Sequence, residues 1–221
     1  MFRIPNETER TVVVGMTGSG KTQGSAFLLS RMRFEEMPWI ILDFKRESLF
    51  QDFNAFPIIG TIPPRDPGIY IFKTGPDDLD NIQELFLQVH ARGDCGVFID
   101  EGMELGHLRP FRTLLTQGRS LNIPMIVCTQ RPAHVTRSVF TEANFFMIYH
   151  MNHPDDQKLV AGYVGETKSL PPLPRYHFYW YDVVERQLLK MRPVPDRLEI
   201  AETIAQKQDA LMARQKARNY L

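Results

Sequence analysis

The stretch VVVGMTGSGKTQG, from Val12 to Gly24, decides the fold. Its β-branched start, TVVV at Thr11–Val14, reads as a buried strand. Gly15-Met16-Thr17-Gly18-Ser19-Gly20-Lys21-Thr22 follows at once and satisfies the G-x-x-x-x-G-K-[ST] pattern. Glycines there let the backbone curl so that successive N–H groups face inward, and the N-terminus of the following helix adds partial positive charge. Such a loop cradles phosphates: Lys21 reaches the β- and γ-phosphates of ATP, and the Thr22 hydroxyl ligates Mg²⁺. A chance match in a glycine turn would lack the strand before it and the helix after it.

Reading outward, Lys21–Met37 carries Phe27, Leu28, Met32 and Phe34 at helical spacings and stops at Pro38. Short apolar runs then recur as strands: WIILD (Trp39–Asp43), GIYIF (Gly68–Phe72), GVFID (Gly96–Asp100), PMIVCT (Pro124–Thr129) and NFFMIYH (Asn144–His150). Asp78–Ala91 and Leu108–Thr116 read as helices between them, and Gln51–Pro67, rich in Pro and Phe, reads as an irregular excursion. Strands alternating with helices predict an α/β protein with a mostly parallel sheet flanked by helices.

The 221 residues are 43% hydrophobic and 24% charged, which fits one compact α/β core and excludes extended disorder. Lys and Arg number 26, as do Asp and Glu, so the chain as a whole does not attract nucleic acid. The charge is unevenly placed. Asp77–Glu104 holds eight acidic residues and one basic, whereas Met103–Phe140 holds five arginines against Glu104 alone. That split either marks a positive surface or is a solvated face. Cys95 and Cys128 lack metal-ligand spacing and read as reduced thiols. The opening MFRIPNETER has no apolar core of a signal peptide, and no apolar run approaches the roughly 18 residues that span a bilayer. A protein soluble inside a cell is expected, with no membrane-spanning segment.

GVFIDEG adds an apolar strand that ends in Asp100 and Glu101, 79 residues beyond Lys21. Asp100 can hold the Mg²⁺ ion, and Glu101 can polarise a water for attack on the γ-phosphate. The alternative is an ordinary acidic turn. IPMIVCTQRP is a similar strand tipped by Thr129-Gln130, expected between the loop strand and the acid-pair strand. Gln130 would then face the γ-phosphate and sense its presence, unless it is a solvated glutamine. The phosphoryl transition state also needs further positive charge, often an arginine from a neighbour. Arg119, in TQGRSLNIP just before that strand, is the favoured candidate. Arg112, Arg131 and Arg137 are the alternatives, each of which a surface ion pair would equally explain.

VVVGMTGSGKT, WIILDFKRE, GVFIDEG and TQGRSLNIPMIVCTQRP, in this order, resemble the FtsK-HerA superfamily, and most closely the genome-packaging ATPases of tectivirus-type phages. The likeness covers about residues 10–150. DFKRE (Asp43–Glu47) is similar to the family's Asp-x-Lys segment but lacks its following glycine. The resemblance implies a RecA-like P-loop NTPase core. It also implies a homo-oligomeric ring, expected as a hexamer, around double-stranded DNA, with ATP between subunits and an arginine acting across the interface. It places the protein in the host cytoplasm and at the packaging vertex of the virion, with capsid or packaging proteins as partners.

Two other readings compete. One is an assembly, export or conjugation ATPase of the same superfamily, whose members usually carry a membrane segment or extra domains. The other is a small P-loop kinase or nucleotide switch, which has less need of a Glu directly after the metal-binding Asp. The division expected is a core over residues 1–168 and an extension over 169–221. SLPPLP (Ser169–Pro174) is a stiff connector, and RYHFYWYDVVERQLLKMRP reads as a β-hairpin. A helix follows from Asp196, capped by Asp196 with Glu199 three residues on, with Ile200, Ile204 and Leu211 on one face. That stripe packs either on the chain's own core or on a neighbour or capsid vertex.

Overall fold

The computed structural model describes residues 3–75 and 78–219, so Asp77 of the acidic run and the last two residues of the C-terminal segment fall outside it. The strands are β1 (Arg10–Val14), β2 (Pro38–Asp43), β3 (Phe56–Pro57), β4 (Gly68–Lys73), β5 (Gly96–Ile99), β6 (Met125–Thr129), β7 (Phe145–Ile148), β8 (Phe178–Asp182) and β9 (Gln187–Met191). The α-helices are α1 (Lys21–Arg31), α2 (Ser48–Gln51), α3 (Leu79–Arg92), α4 (Arg109–Gln117), α5 (Ser138–Thr141), α6 (Pro154–Tyr163) and α7 (Arg197–Asn219).

The strands form a nine-stranded sheet in the order β3-β4-β2-β5-β6-β1-β7-β8-β9. Every pairing from β3 to β7 is parallel, and β8 and β9 close the sheet antiparallel. A parallel sheet needs helices on both faces, and the residues alternate accordingly. Val12 and Val14 point into one core with Phe86, Phe111 and Phe146 from the α3, α4 and β7 side. Val13 points into the other with Leu28, Leu29, Phe50 and Ile204 from α1, α2 and α7. β6 lies between β1 and β5, where the sequence pattern requires it.

α1 stops at Arg31 rather than reaching Met37. Met32 is already extended, and the Arg33 carbonyl accepts the N–H groups of Glu36 and Met37 to make a turn. Six more helical residues would carry the chain about 9 Å along the helix axis. The turn instead brings it back to start β2 and still buries Met32, Phe34 and Met37. The expected excursion contains the two-residue edge strand β3, where Pro57 costs no ladder bond and Phe56 lies against Tyr70 at 5.2 Å.

The hairpin β8–β9 turns over Val183–Arg186, with Asp182 Oδ1 accepting the N–H groups of Val184 and Glu185. α7 begins after Asp196, whose Oδ1 accepts the Glu199 N–H, and it buries Ile200, Ala201, Ile204 and Leu211. Its fully buried Gln208 donates to the Ile69 carbonyl and accepts the Ile69 N–H, continuing the β4 ladder where β3 does not reach. Among the described residues, no helix is long and apolar enough to cross a membrane.

Candidate nucleotide site

Parallel topology puts the carboxyl ends of β1, β2, β5, β6 and β7 at one edge, where α/β proteins bind ligands. The loop Gly15–Thr22 leaves β1 at that edge. It is anchored on both sides: the Gly15 N–H donates to the Thr129 carbonyl at the end of β6, and the Met16 N–H donates to the His150 carbonyl after β7. Gly18 and Gly20 sit at φ +76° and +99°, a region that favours glycine. At Gly15 a Cβ would come within 2.6 Å of both Ser19 Oγ and Tyr149 Cβ, so the tight curl needs glycine there too. A cavity of about 350 Å³ lies over the loop, bordered by Met16, Lys21, Thr22, Lys45, Gln130 and Tyr176 among others.

Lys21 is buried, at the start of α1, and makes no ion pair among the described residues. Asp100 is 1% exposed, and neither of its carboxylate oxygens has a hydrogen-bond partner among the described residues. Burial pushes its pKa above the ordinary carboxylate range, against the pull of Lys21 and Lys45. An orphaned buried carboxylate beside a phosphate loop suits a hard cation, and with the Thr22 hydroxyl it supplies the oxygen ligands that Mg²⁺ prefers.

Glu101 follows Asp100, is buried, and accepts a hydrogen bond from Lys45 Nζ at 3.0 Å. Lys45 arrives because β2 is the parallel neighbour of β5. Its turn is fixed by Asp43, whose Oδ1 accepts the Glu47 N–H at 2.9 Å, and by Arg46 at φ +54°. The second oxygen of Glu101, Oε1, is buried without a hydrogen-bond partner among the described residues. The Gly102 N–H donates to the Cys128 carbonyl, which ties the acidic turn to the end of β6.

Gln130 reaches the loop directly, its Oε1 accepting from the Thr17 hydroxyl at 2.8 Å. The segment beyond it is latched to α6. Buried Asp156 accepts from Arg131 Nε at 3.1 Å and from the Ala133 N–H at 2.8 Å. Arg131 is therefore committed to an ion pair, whereas Arg109, Arg112, Arg119 and Arg137 are exposed and make none among the described residues.

Arg119 lies away from these groups. It sits in the 3-10 turn Gly118–Leu121 before β6, near Arg10 at the start of β1. Burial lowers the Arg10 pKa, and the charge of Arg119 lowers it further. The loop leaves the other end of the same strands, so the length of β6 separates Arg119 from it, about 13 Å or more. Lys21, Thr22, Asp100, Glu101 and Gln130 thus gather at one edge, and Arg119 does not join them. The Asp156 latch and Tyr176 carried no motif in the sequence, being a lone acid in a helix and one aromatic among several after a proline-rich stretch.

No family model matches the sequence. The chain is 36% identical over 206 residues to the DNA packaging ATPase P9 of Enterobacteria phage PRD1, covering 88% of this chain and 91% of that protein. Its fold is similar to the genome packaging NTPase B204 from Sulfolobus turreted icosahedral virus 2 in complex with ATP-gammaS, at TM-score 0.67, 18% identity, and coverage of 86% and 100%. It is similar also to the pCW3 conjugation coupling protein TcpA, at TM-score 0.62, 16% identity, and coverage of 90% and 64%. On the strength of the PRD1 likeness, the chain belongs to the family of viral DNA packaging ATPases, within the FtsK-HerA superfamily.

Proposed function

We propose that this ATPase packages a viral genome, hydrolysing ATP with Mg²⁺ in order to move double-stranded DNA into a preformed capsid. The observation that carries the hydrolytic part is the acid pair, with Asp100 orphaned in the site and Glu101 held by Lys45. In this reading Ser19, Lys21 and the loop N–H groups from Gly15 to Thr22 hold the phosphates, and Thr22 with Asp100 holds the metal. Glu101 polarises the attacking water. Lys45 fixes Glu101 in the ground state and adds positive charge beside the γ-phosphate. Gln130, bonded to Thr17, reports whether that phosphate is present.

Arg119 completes the site of a neighbouring subunit, since it lies beyond reach of its own loop. The family resemblance favours a homo-oligomeric ring, expected as a hexamer, in which Arg119 stabilises transition-state charge in trans. The exposed arginines Arg109, Arg112 and Arg137 supply phosphate contacts to DNA without reading sequence. A packaging role, as in the name of the PRD1 relative, supports a station at the packaging vertex of the virion, assembled from the host cytoplasm with capsid or packaging proteins as partners.

ATP turnover measured with and without duplex DNA, in the oligomeric protein, tests the motor. Stimulation by DNA that declines with salt is expected, and absence of turnover in every oligomeric state would overturn the reading. Glu101→Gln is expected to leave ATP bound and to lower kcat at least 100-fold, the order of a general-base contribution. Wild-type turnover in that variant would remove Glu101 from the role of base.

A further inference from the structure

The phosphate loop accounts for the triphosphate and leaves the nucleoside end of ATP without a partner. The flanks of β1 give the direction in which that end must lie. Asp100, Glu101 and Gln130 stand on the β5–β6 flank, so a triphosphate with its γ-phosphate there leads its nucleoside toward the β7 flank. Tyr176 borders the loop cavity as the aromatic residue lining it. Its ring approaches the loop backbone, with Cδ1 only 3.2 Å from where a Cβ on Gly20 would be.

Three features set Tyr176 apart from a packing residue. It is 43% exposed, whereas Tyr149, the other aromatic against the loop glycines, is buried. It adopts φ +64°, which disfavours a bulky side chain and persists only where the surroundings impose it. The surroundings do impose it: the His177 N–H donates to the Pro174 carbonyl to close the turn, and the Tyr179 hydroxyl donates to the Pro171 carbonyl to hold the stiff proline stretch. The Arg175 guanidinium lies 4.7 Å from the Tyr176 ring centroid and restrains the ring from one side.

We infer that Tyr176 is the base platform of this ATPase, a pre-set aromatic surface on which the purine of the nucleotide stacks while the loop from Gly15 to Thr22 takes the phosphates. The inference rests on the ATP-hydrolysing reading above and adds to it the residue that recognises the nucleoside. Stacking uses the π-face that adenine and guanine share, so Tyr176 supplies affinity for a purine nucleotide rather than a choice between purines.

The test separates the base from the phosphates. Full-length wild type, Tyr176→Ala and Tyr176→Phe are titrated with Mg²⁺ and either adenosine 5′-(β,γ-methylene)triphosphate or inorganic tripolyphosphate, by calorimetry. Tyr176→Ala is expected to bind the adenosine analogue about tenfold more weakly, to bind tripolyphosphate as wild type does, and Tyr176→Phe is expected to behave as wild type with both. Equal losses for both ligands in Tyr176→Ala would make Tyr176 a support for the loop and overturn the inference, as would unchanged affinity for the adenosine analogue. A wild-type protein that binds neither ligand would refute the phosphate-loop assignment itself, and a wild type that binds tripolyphosphate as tightly as the adenosine analogue would refute the platform alone.

Discussion

Asp100→Asn is expected to stabilise the ligand-free protein and to remove its response to magnesium nucleotide. The carboxylate is 1% exposed and both oxygens lack a hydrogen-bond partner, so the charge is carried at a cost. Lys21 and Lys45 offset part of that cost, yet the pKa still moves upward, so desolvation outweighs their attraction. The effective penalty of a buried ion is several kcal/mol, only part of which the two lysines return. The Asn amide that replaces it remains a buried polar group, with a penalty of about 1–3 kcal/mol. The net is a gain of about 1 kcal/mol, or about 2–4 °C in Tm for a chain of this size.

The dependence on pH fixes the sign. A carboxyl whose native pKa is raised above its unfolded value of 3.8 gives stability that is present below that value and is lost as pH rises through the native pKa. The ligand-free wild type therefore loses this contribution as pH rises from about 4 through the raised value, and Asp100→Asn does not. Bound Mg²⁺ reverses the preference by favouring the carboxylate. Thermal melts from about pH 4 to 8 check both effects, one series with chelator and one with Mg²⁺ and a non-hydrolysable ATP analogue. At a ligand concentration 100 times Kd the wild type gains about 2.7 kcal/mol, roughly 5–11 °C, and the variant gains much less. A ligand-free variant less stable than wild type across the neutral range, or one that keeps the full magnesium-dependent increment, would refute the reasoning.

Gln208→Leu strands the N–H and C=O of buried Ile69, both of which bond Gln208; a loss of about 2–4 kcal/mol, on the order of 10 °C by calorimetry, is expected. Gly24→Ala in α1 would place a Cβ 2.0 Å from the Tyr149 hydroxyl and 2.8 Å from Met147 Cε, so the usual helix gain of alanine turns into a loss of about 1–3 kcal/mol in urea unfolding. Because the Tyr149 hydroxyl is buried without a partner, the background Tyr149→Phe is expected to recover at least about 0.5 kcal/mol of that loss.

The sequence made the central strands legible because a strand buried on both faces is a short apolar run between turn residues. Thr11–Val14, Trp39–Asp43 and Gly96–Asp100 all fall within about a residue of β1, β2 and β5. The helix expected to Met37 misled for a related reason: Met32, Phe34 and Met37 do face a core, but from a turn, and burial alone does not tell the two apart. The pairing of Lys45 with Glu101 spans 56 residues and exists because β2 lies beside β5, a fact of strand order that no local pattern encodes. The same holds for Asp156, which reaches the segment after Gln130 from α6, with α5 and β7 in between.

Strand order also separates Arg119 from the loop edge. Every group at the loop edge follows a strand, since residues after parallel strands share an edge: Lys45 after β2, Asp100 and Glu101 after β5, Gln130 after β6 and Lys21 after β1. Arg119 precedes β6 and so belongs to the opposite edge whatever its rotamer. In the proposed ring, the nucleotide edge of one subunit then faces the Arg119 edge of the next, a head-to-tail contact that closes by rotation. Such an arrangement couples turnover to neighbours without any change of fold, because a subunit hydrolyses fast only when the adjacent Arg119 is in place. Mixing Glu101→Gln subunits with Arg119→Ala subunits, each inactive alone, should restore turnover at those interfaces where a wild-type loop meets a wild-type Arg119. No recovery at any mixing ratio would place the needed positive charge elsewhere than Arg119.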